Sequence, residues 1–455
     1  MSQRIHCVVL ASVLLCGVLL PCGVVLGAGA AKGIAETRPQ PTASGAERYY
    51  QWLMGALDGI EKQMPEISRS ADAAAELFVK DEKTGIGAVG DRGFVGEALG
   101  RAGGIIRINY PHQLKDAGWK GAVLFGLRAE ALAADLAMAA KKKEHGCVTI
   151  ALGQKSLAPA LKKAGMPFDV FIANGAADHD GLLSDAGGRW VIPTVPAANI
   201  AAMWTWTGEF VAACTRRGKM PPMYLAYSCP GGRAWSNKYG SRKFHEAAPN
   251  AVPAGQLGRE YLRELRADLR TVHDKEMADI RKVAGLAVET RKAGKGVYAF
   301  THGHAILQRL AGPGNPGYFT QINRSWVDLR KDIQLRRGDL VYCVGFDQLF
   351  GGSWFRDFDK RAREAGAQLA WSISACRKGH TDSLPPDEPL IDQHWDFGDS
   401  AGVVPGYEIK ILPVSGVIAE AALWMVSAEI HTMVSGEPAS KEPVPAPAGV
   451  VRDKD

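Results

Sequence analysis

The sequence predicts an α/β protein of two pseudo-symmetric three-layer αβα sandwiches with parallel sheets. The first observation is that short, fully apolar runs, such as 121–125, 147–152 and 340–345, alternate with longer helical patterns. Strands this apolar are buried on both faces, which a parallel sheet between helices provides. The second is that the later half of the chain replays the earlier one. Around Gly85 it reads G-I-G-A-V-G-D-R-G-F-V-G-E-A-L, an apolar run, a glycine turn and a helical pattern; around Gly296, G-V-Y-A-F-T-H-G-H-A-I-L-Q-R-L follows the same order. The segments after Pro193 and Pro413 then place Trp204 on Trp424 and Glu209 on Glu429 at one offset. A repeat of roughly 210–220 residues is far too long for a solenoid unit and reads as a duplicated domain.

The elements follow in order. Residues 49–78 carry Leu53, Leu57, Ile60 and Met64 at helical spacing, with Pro65 breaking or restarting the helix. Next come strand 85–89, helix 93–101, strand 121–125, Ala-rich helix 129–144, strand 147–152, shorter strands 169–173 and 189–192, and a long apolar helix 197–216. The second half gives helix 260–292, strand 296–300, helix 304–310, strand 340–345, helix 354–365, strand 368–374 and helix 417–434. The domains expected are therefore 46–219 and 259–434, joined by a Pro/Gly/Ser-rich linker at 220–258. The tail, 435–455, has the composition of disorder.

A chain of 455 residues with 46% hydrophobic and 22% charged residues suits a soluble globular protein with sizeable cores. The net charge of +6 is scattered, with no basic stripe interleaved with aromatics, so no nucleic-acid partner is expected. Residues 1–30 read as an export signal: Arg4, an apolar stretch, then Ala28-Gly29-Ala30 as the cleavage site. A periplasmic or secreted location with no membrane span after cleavage is the expectation, and an uncleaved N-terminal anchor the alternative. Of the eight cysteines, Cys7, Cys16 and Cys22 leave with that segment. The remaining five lack the spacing of a disulfide framework or zinc site.

The helix, strand, glycine turn and helix ending in R-A-G-G (Arg101 to Gly104) resemble the sugar isomerase (SIS) domain. The closer resemblance is to a bacterial group of uncharacterised SIS phosphosugar-binding proteins. In that group a G-S-G-H-S-like loop precedes an acidic helix ending in R-A-G-G. A later I-D-N-H-x-x-x-G-D-A segment leads to a Pro-Ser turn and an apolar helix. Here Glu97 precedes Arg101, and Ile391-Asp392-Gln393-His394-Trp395-Asp396-Phe397-Gly398-Asp399 is followed by Pro413-Val414-Ser415. The resemblance covers nearly all of 46–433. It implies a tandem SIS-like fold, a sugar or sugar-phosphate ligand and no cofactor. It also makes Glu97 a catalytic candidate and His394 and Ser415 substrate-binding ones. A tandem chain can build internally the contact that single SIS domains build by dimerising, so both a monomer and a homodimer stay open.

The family's phosphate loop, S-x-S-G-x-T, is missing. The matching loops, Phe125-Gly126-Leu127-Arg128-Ala129 and 345–353, lack the hydroxyl cluster, although Arg128 can offer a charged fork. Gly90-Asp91-Arg92-Gly93 offers an acid and a cation for substrate binding, or simply an N-cap with a surface ion pair. Thr301-His302-Gly303-His304 places a hydroxyl and two imidazoles at the mouth of the second half. Histidine titrates near neutrality, as ring opening and proton transfer require, so His302 and His304 are catalytic candidates. The plainer reading is a capped helix with one packed histidine. Asp178-His179-Asp180 and the group His394, Asp396 and Asp399 could suit a divalent ion, but loop hydrogen bonding is the default and no metal is expected. Trp204, Trp424, Glu209 and Glu429 read as core packing with satisfied polar groups.

Binding of a sugar or sugar phosphate without standard catalysis is thus the leading functional expectation. An aldose–ketose isomerase acting on an amino-sugar phosphate and a structural envelope protein are the alternatives.

Overall fold

The computed structural model describes residues 43–109, 112–116, 118–227, 229–246, 249–301, 310, 312, 314–322, 334–345, 353–376, 381 and 384–435. The predicted export signal, residues 304–309 of the expected helix 304–310 and most of the loop 345–353 lie outside the described residues, as does the tail beyond Ser435.

The first half opens with α1 (Gly45–Lys62) and α2 (Met64–Lys80), followed by β1 (Gly85–Val89), α3 (Arg92–Ala98), β2 (Ile108–Asn109) and β3 (Gly121–Gly126). Then come α4 (Leu132–Glu144), β4 (Val148–Gly153), α5 (Ala158–Lys163), β5 (Val170–Ala173), a small hairpin of β6 (Leu183–Ser184) and β7 (Trp190–Val191), and α6 (Val195–Thr215). After α7 (Gly232–Tyr239), the second half runs α8 (Gln256–Lys292), β8 (Val297–Thr301), β9 (Thr320–Gln321) and β10 (Leu340–Val344). It ends with α9 (Ser353–Glu364), β11 (Gln368–Ile373), β12 (Leu390–Asp392) and α10 (Ser415–Ser435).

The strands form two five-stranded sheets, β2-β1-β3-β4-β5 and β9-β8-β10-β11-β12. Every pairing within them is parallel. Numbered within its own half, each sheet has the same 2-1-3-4-5 order, a doubly wound arrangement whose order reverses between its first and third strands. Side chains alternate across each sheet. Val123, Phe125 and Ala151 face an outer layer with Ala139 of α4 and Leu161 of α5. Val341, Cys343 and Trp371 pack outward with Phe358 and Ala362 of α9. The opposite faces, including Leu124, Ile150, Tyr342 and Ala370, join one continuous core with α1, α2, α6, α8 and α10. The two sandwiches therefore share their central helical layer.

Within that layer the halves exchange partners: α1 packs on α10, and α8 packs on α6 as well as α10. Glu209 and Glu429, the repeated acids, explain the pairing. Glu209 on α6 is fully buried and accepts from the N–H groups of Gly255 (2.5 Å) and Gly258 (2.9 Å), at the start of α8, and from Ser68 Oγ (2.6 Å). Glu429 on α10 accepts from Ala46 N, at the start of α1, at 3.1 Å. Each half thus caps the long helix of the other, using a charge where the helix dipole is positive. The expectation of satisfied carboxylates and core packing is borne out for Glu209 and Glu429; Trp204 and Trp424 are both buried, Trp424 donating to Glu420, while Trp204 Nε1 has no hydrogen-bond partner among the described residues. Helix α10 is long and apolar enough to cross a membrane by composition, yet 83% of that apolar window lies inside the protein, as in an all-round apolar core helix.

A second exchange joins the halves at backbone level. Leu412 N donates to Gly103 O and Ile192 N to Gly314 O, each at 2.9 Å. Gly103 (φ 74°) leaves room for this approach; a Cβ there would stand 2.9 Å from Leu412 N.

The halves differ where Lys62-Gln63-Met64-Pro65-Glu66-Ile67 corresponds to Lys275-Glu276-Met277-Ala278-Asp279-Ile280. Pro65 has no N–H, and the first segment breaks at Gln63 into α1 and α2. Ala278 lets α8 continue for 37 residues. The stretch 220–258, read as a linker, contains α7 and the first turn of α8, and it buries Met220, Met223, Tyr239 and Val252. Its ring cluster, in which His245 lies 4.7 Å from Tyr239 and 5.1 Å from Tyr407, ties it to the second half. Composition alone reads such Pro- and Gly-rich chain as a connector, because its burial comes from distant partners.

Candidate functional site at the seam of the halves

The predicted residues fall into three places. At the mouth of the first sheet, Asp91 caps α3, its Oδ1 accepting from Gly93 N (2.6 Å) and Phe94 N (3.0 Å). Arg128 stands 3.8 Å from Asp91 and 2.8 Å from Glu130. Asp135 feels the same arginine, but burial pushes its carboxyl up to about 6. Arg92 is exposed. The charged fork of Arg128 is thus already faced by carboxylates, and a phosphate would compete with them.

At the mouth of the second sheet, Thr301 ends β8 and is buried, its Oγ1 3.3 Å from Gln321 Nε2. His302 and His304 lie outside the described residues. His394 adopts φ 55° just after β12, and its N–H donates to Asp392 Oδ1 (3.0 Å). Its imidazole is held against α8, with Nε2 2.7 Å from Glu276 Oε1.

The third place is the seam, where the structure brings Glu97 and Ser415 together from opposite halves. Glu97 on α3 is fully buried, and its Oε2 accepts from Arg101 Nε (3.0 Å) and Nη2 (2.8 Å). The other oxygen lies against the first turn of α10: a Cβ on Gly416 would stand 2.2 Å from Glu97 Oε1. Only a residue without a side chain allows that contact. Asp399 caps the same turn, its Oδ1 accepting from Val414 N (3.0 Å) and Ser415 N (2.9 Å) and its Oδ2 from Ser415 Oγ (2.5 Å). The first half repeats the device at α6, where Asp180 accepts from Thr194 N (3.0 Å) and Val195 N (2.7 Å). Both aspartates sit at φ 50°. The two clusters weighed for metal thus spend an aspartate each on a helix start, while His179 stacks on Trp190. Among the described residues, no group of three or more His, Cys, Asp or Glu is placed to hold a metal ion.

Two residues at the seam were not singled out by sequence. Tyr261 and Asp268 lie on one face of α8, about two turns apart. Tyr261 is fully buried, and its hydroxyl has no hydrogen-bond partner among the described residues. Burial raises its pKa well above the usual phenol value, and the charges of Glu97 and Asp399 add to the effect. Asp268 is half-buried, and its carboxyl is pushed up to about 8, first by burial and then by Glu264, Asp396 and Asp399. An acid on an amphipathic helix ordinarily reads as part of a solvated face. The one sequence signal was available from the repeat: aligning α1 with α8, one residue short of the offset that holds from the break at Gln63 onward, sets Tyr261 on Tyr49, but Asp268 on the buried Ala56.

Fold and site together define a doubly wound α/β protein with two sheets, a shared helical layer and a buried polar seam. The chain is similar in fold to the C-terminal domain of glucosamine-fructose-6-phosphate aminotransferase from Francisella tularensis, at 10% identity and a TM-score of 0.44, covering 84% of this chain and 96% of that one. It is likewise similar to tagatose-6-phosphate ketose/aldose isomerase from Escherichia coli, at 11% identity and a TM-score of 0.44, covering 88% and 97%. No protein-family model matches the chain, and none of the curated proteins matches it.

Proposed function

We propose that this protein binds a sugar or related polyhydroxylated carbohydrate derivative at the seam between its halves. The observation that carries this is the buried Tyr261 hydroxyl, left without a partner beside the Glu97 carboxylate and the capped start of α10. A buried polar group without a partner costs roughly 1–3 kcal/mol, which a ligand hydroxyl would recover. Carboxylates are strong acceptors for sugar hydroxyls, whereas a phosphate would meet like charge at the seam and competing acids around Arg128. Thr301, Arg92 and Asp91 are assigned by this proposal to the rims of the two sheets, and His302 and His304 remain its catalytic candidates. The proposal also takes the halves, 46–219 and 259–434, as products of a duplication, and the mature protein as exported.

A second reading, turnover as an aldose–ketose isomerase, is favoured by Asp268. A carboxyl titrating near neutrality can both accept and return a proton.

The test is a thermal-shift screen of the chain against neutral sugars, amino sugars and sugar phosphates, repeated with Glu97→Gln. A ligand at 100 times its Kd adds about 2.7 kcal/mol, a rise of several degrees. That rise should shrink in the variant. Silence across the panel overturns the binding proposal. Interconversion of the bound sugar, followed by NMR, decides between binding and isomerisation.

A further inference from the structure

We propose that His394 and Asp392, at the carboxyl end of the second sheet, form a two-donor seat for a tetrahedral divalent ion of the zinc or cobalt kind, with Glu276 positioning the imidazole from behind.

The inference starts from two atoms that face each other without a hydrogen bond. His394 Nδ1 stands 3.4 Å from Asp392 Oδ2, beyond the roughly 2.7–2.9 Å of a charge-assisted N–H···O bond. The imidazole makes its short bond on the other side, where Nε2 lies 2.7 Å from Glu276 Oε1. A carboxylate there takes the ring N–H, so Nε2 carries the hydrogen and Nδ1 presents its lone pair. Asp392 is oriented as firmly. Its Oδ1 accepts from Ala375 N and His394 N, both at 3.0 Å, which leaves Oδ2 to the imidazole. Glu276 is fixed in turn, its Oε2 accepting from Asp392 N at 3.3 Å.

The separation of the two donors selects the ion. Zinc binds imidazole nitrogen and carboxylate oxygen at about 2.0–2.2 Å. Donors 3.4 Å apart then subtend about 110° at the ion, the tetrahedral angle. An octahedral ion such as Mg2+ asks for about 90° and for oxygen donors. A carboxylate behind the ring is the usual outer-shell partner of a metal-bound histidine. The described residues supply no third His, Cys, Asp or Glu, so the other positions on the ion are open to water or to a ligand oxygen. The His394 and Asp392 side chains are 18% and 22% exposed, which lets solvent reach those positions.

The first half shows that the fold does not need these groups. In register, Ala173 corresponds to Asp392, Gly175 to His394 and Gln63 to Glu276. Gln63 holds the strand end through neutral amide bonds to Ala173. Gly175 takes φ 78° freely, whereas His394 adopts φ 55°, a conformation costly to a residue with a side chain. Both donors and their orienting acid thus stand where alanine, glycine and glutamine are enough for structure. Grouping His394 with Asp396 and Asp399 by sequence missed this pair, because Asp399 is committed to the start of α10.

The experiment is calorimetric titration of the full chain, freed of metal by a chelator, with Zn2+, and with Co2+ followed by visible absorption. Zn2+ should bind, Co2+ should give the strong absorption of a tetrahedral ion, and excess Mg2+ should displace neither. Glu276→Gln, which installs the first half's residue, should weaken Zn2+ about tenfold. His394→Gly and Asp392→Asn each remove a donor and should weaken it further. Melting without metal reports on folding. Both variants should melt near the unsubstituted chain, since glycine suits the left-handed backbone and the Asn oxygen still accepts the two N–H groups. Should one of them fold poorly, the other supplies the comparison. Zn2+ should raise the melting temperature of the unsubstituted chain and not of either variant. Absence of Zn2+ binding overturns the inference. Equal affinity in His394→Gly and Asp392→Asn also overturns it, by placing the ion elsewhere. No sugar enters these measurements, so their outcome is independent of the binding proposal above.

Discussion

The two halves use the same scaffold but not the same charges. Each has a parallel sheet in the same strand order, a long apolar helix started by a remote aspartate at φ 50°, and a buried glutamate that caps the other half's first helix. Where the halves diverge, the second gains ionisable groups: Asp268 stands on Ala56, Glu276 on Gln63, His394 on Gly175 and Glu420 on Ile200. In the first half, Gln63 clamps the end of β5 through Ala173, donating at 2.6 Å and accepting at 2.9 Å. In the second, Glu276 does comparable work on β12 but also engages His394. Neutral amides suffice to hold a strand end. Carboxylates and imidazole at equivalent positions bring electrostatic cost, and that cost is the reason to look for chemistry on this side of the molecule.

Five substitutions test how deep the correspondence goes. The largest effect is expected from Glu209→Ala, which orphans the Gly255 and Gly258 N–H groups at the start of α8 and removes a bond from Ser68. A loss of about 3–5 kcal/mol in denaturant unfolding is expected, against about 1–2 kcal/mol for Glu429→Ala, which orphans Ala46 N. Equal losses would mean that the two caps carry the same load despite their different bonding. Next, Ala278→Pro places in α8 the residue that divides α1 from α2, and should cost about 3 kcal/mol, while Pro65→Ala should stay within about 1 kcal/mol. If Ala278→Pro is as well tolerated as the natural Pro65, the two helical segments share a backbone that accepts the break, and proline is not its cause.

The smallest effect concerns the tie between α1 and α8. His273 lies 2.7 Å from both Glu47 and Asp274 and stacks on Tyr50. Burial disfavours its charge, but the hydrogen bonds to Asp274 and Glu47 outweigh that, and its pKa is raised. A raised histidine pKa gives stability that is complete below the ordinary histidine range, about 6.5, and is lost as pH rises through the folded value. The pair is partly solvated, so the contribution should stay under about 1 kcal/mol. His273→Gln should therefore flatten the fall in melting temperature above neutral pH. An unchanged pH profile would show that this bridge adds nothing to the union of the halves.

Much of this architecture could be read directly. Apolar runs at 121–125, 147–152 and 340–345 had no place except a sheet covered on both sides, and the Trp204/Trp424 and Glu209/Glu429 matches marked the repeated core helix. The candidate site was legible only in pieces. Glu97 and Ser415 were picked out by motif, but in different halves. Asp268 went unnoticed because a charged residue on a helix normally faces water.

The sequence by itself determined the layers, the strand and helix order and the internal correspondence, because periodicity and apolar length record which faces are buried. Only the tertiary structure decided that the halves share one helical layer, that each glutamate caps the opposite half's helix, and that Glu97 lies against the start of α10. Burial leaves a local trace in the chain. The choice of partner, and the mutual repulsion of acids far apart in sequence, exist only once the chain has closed on itself.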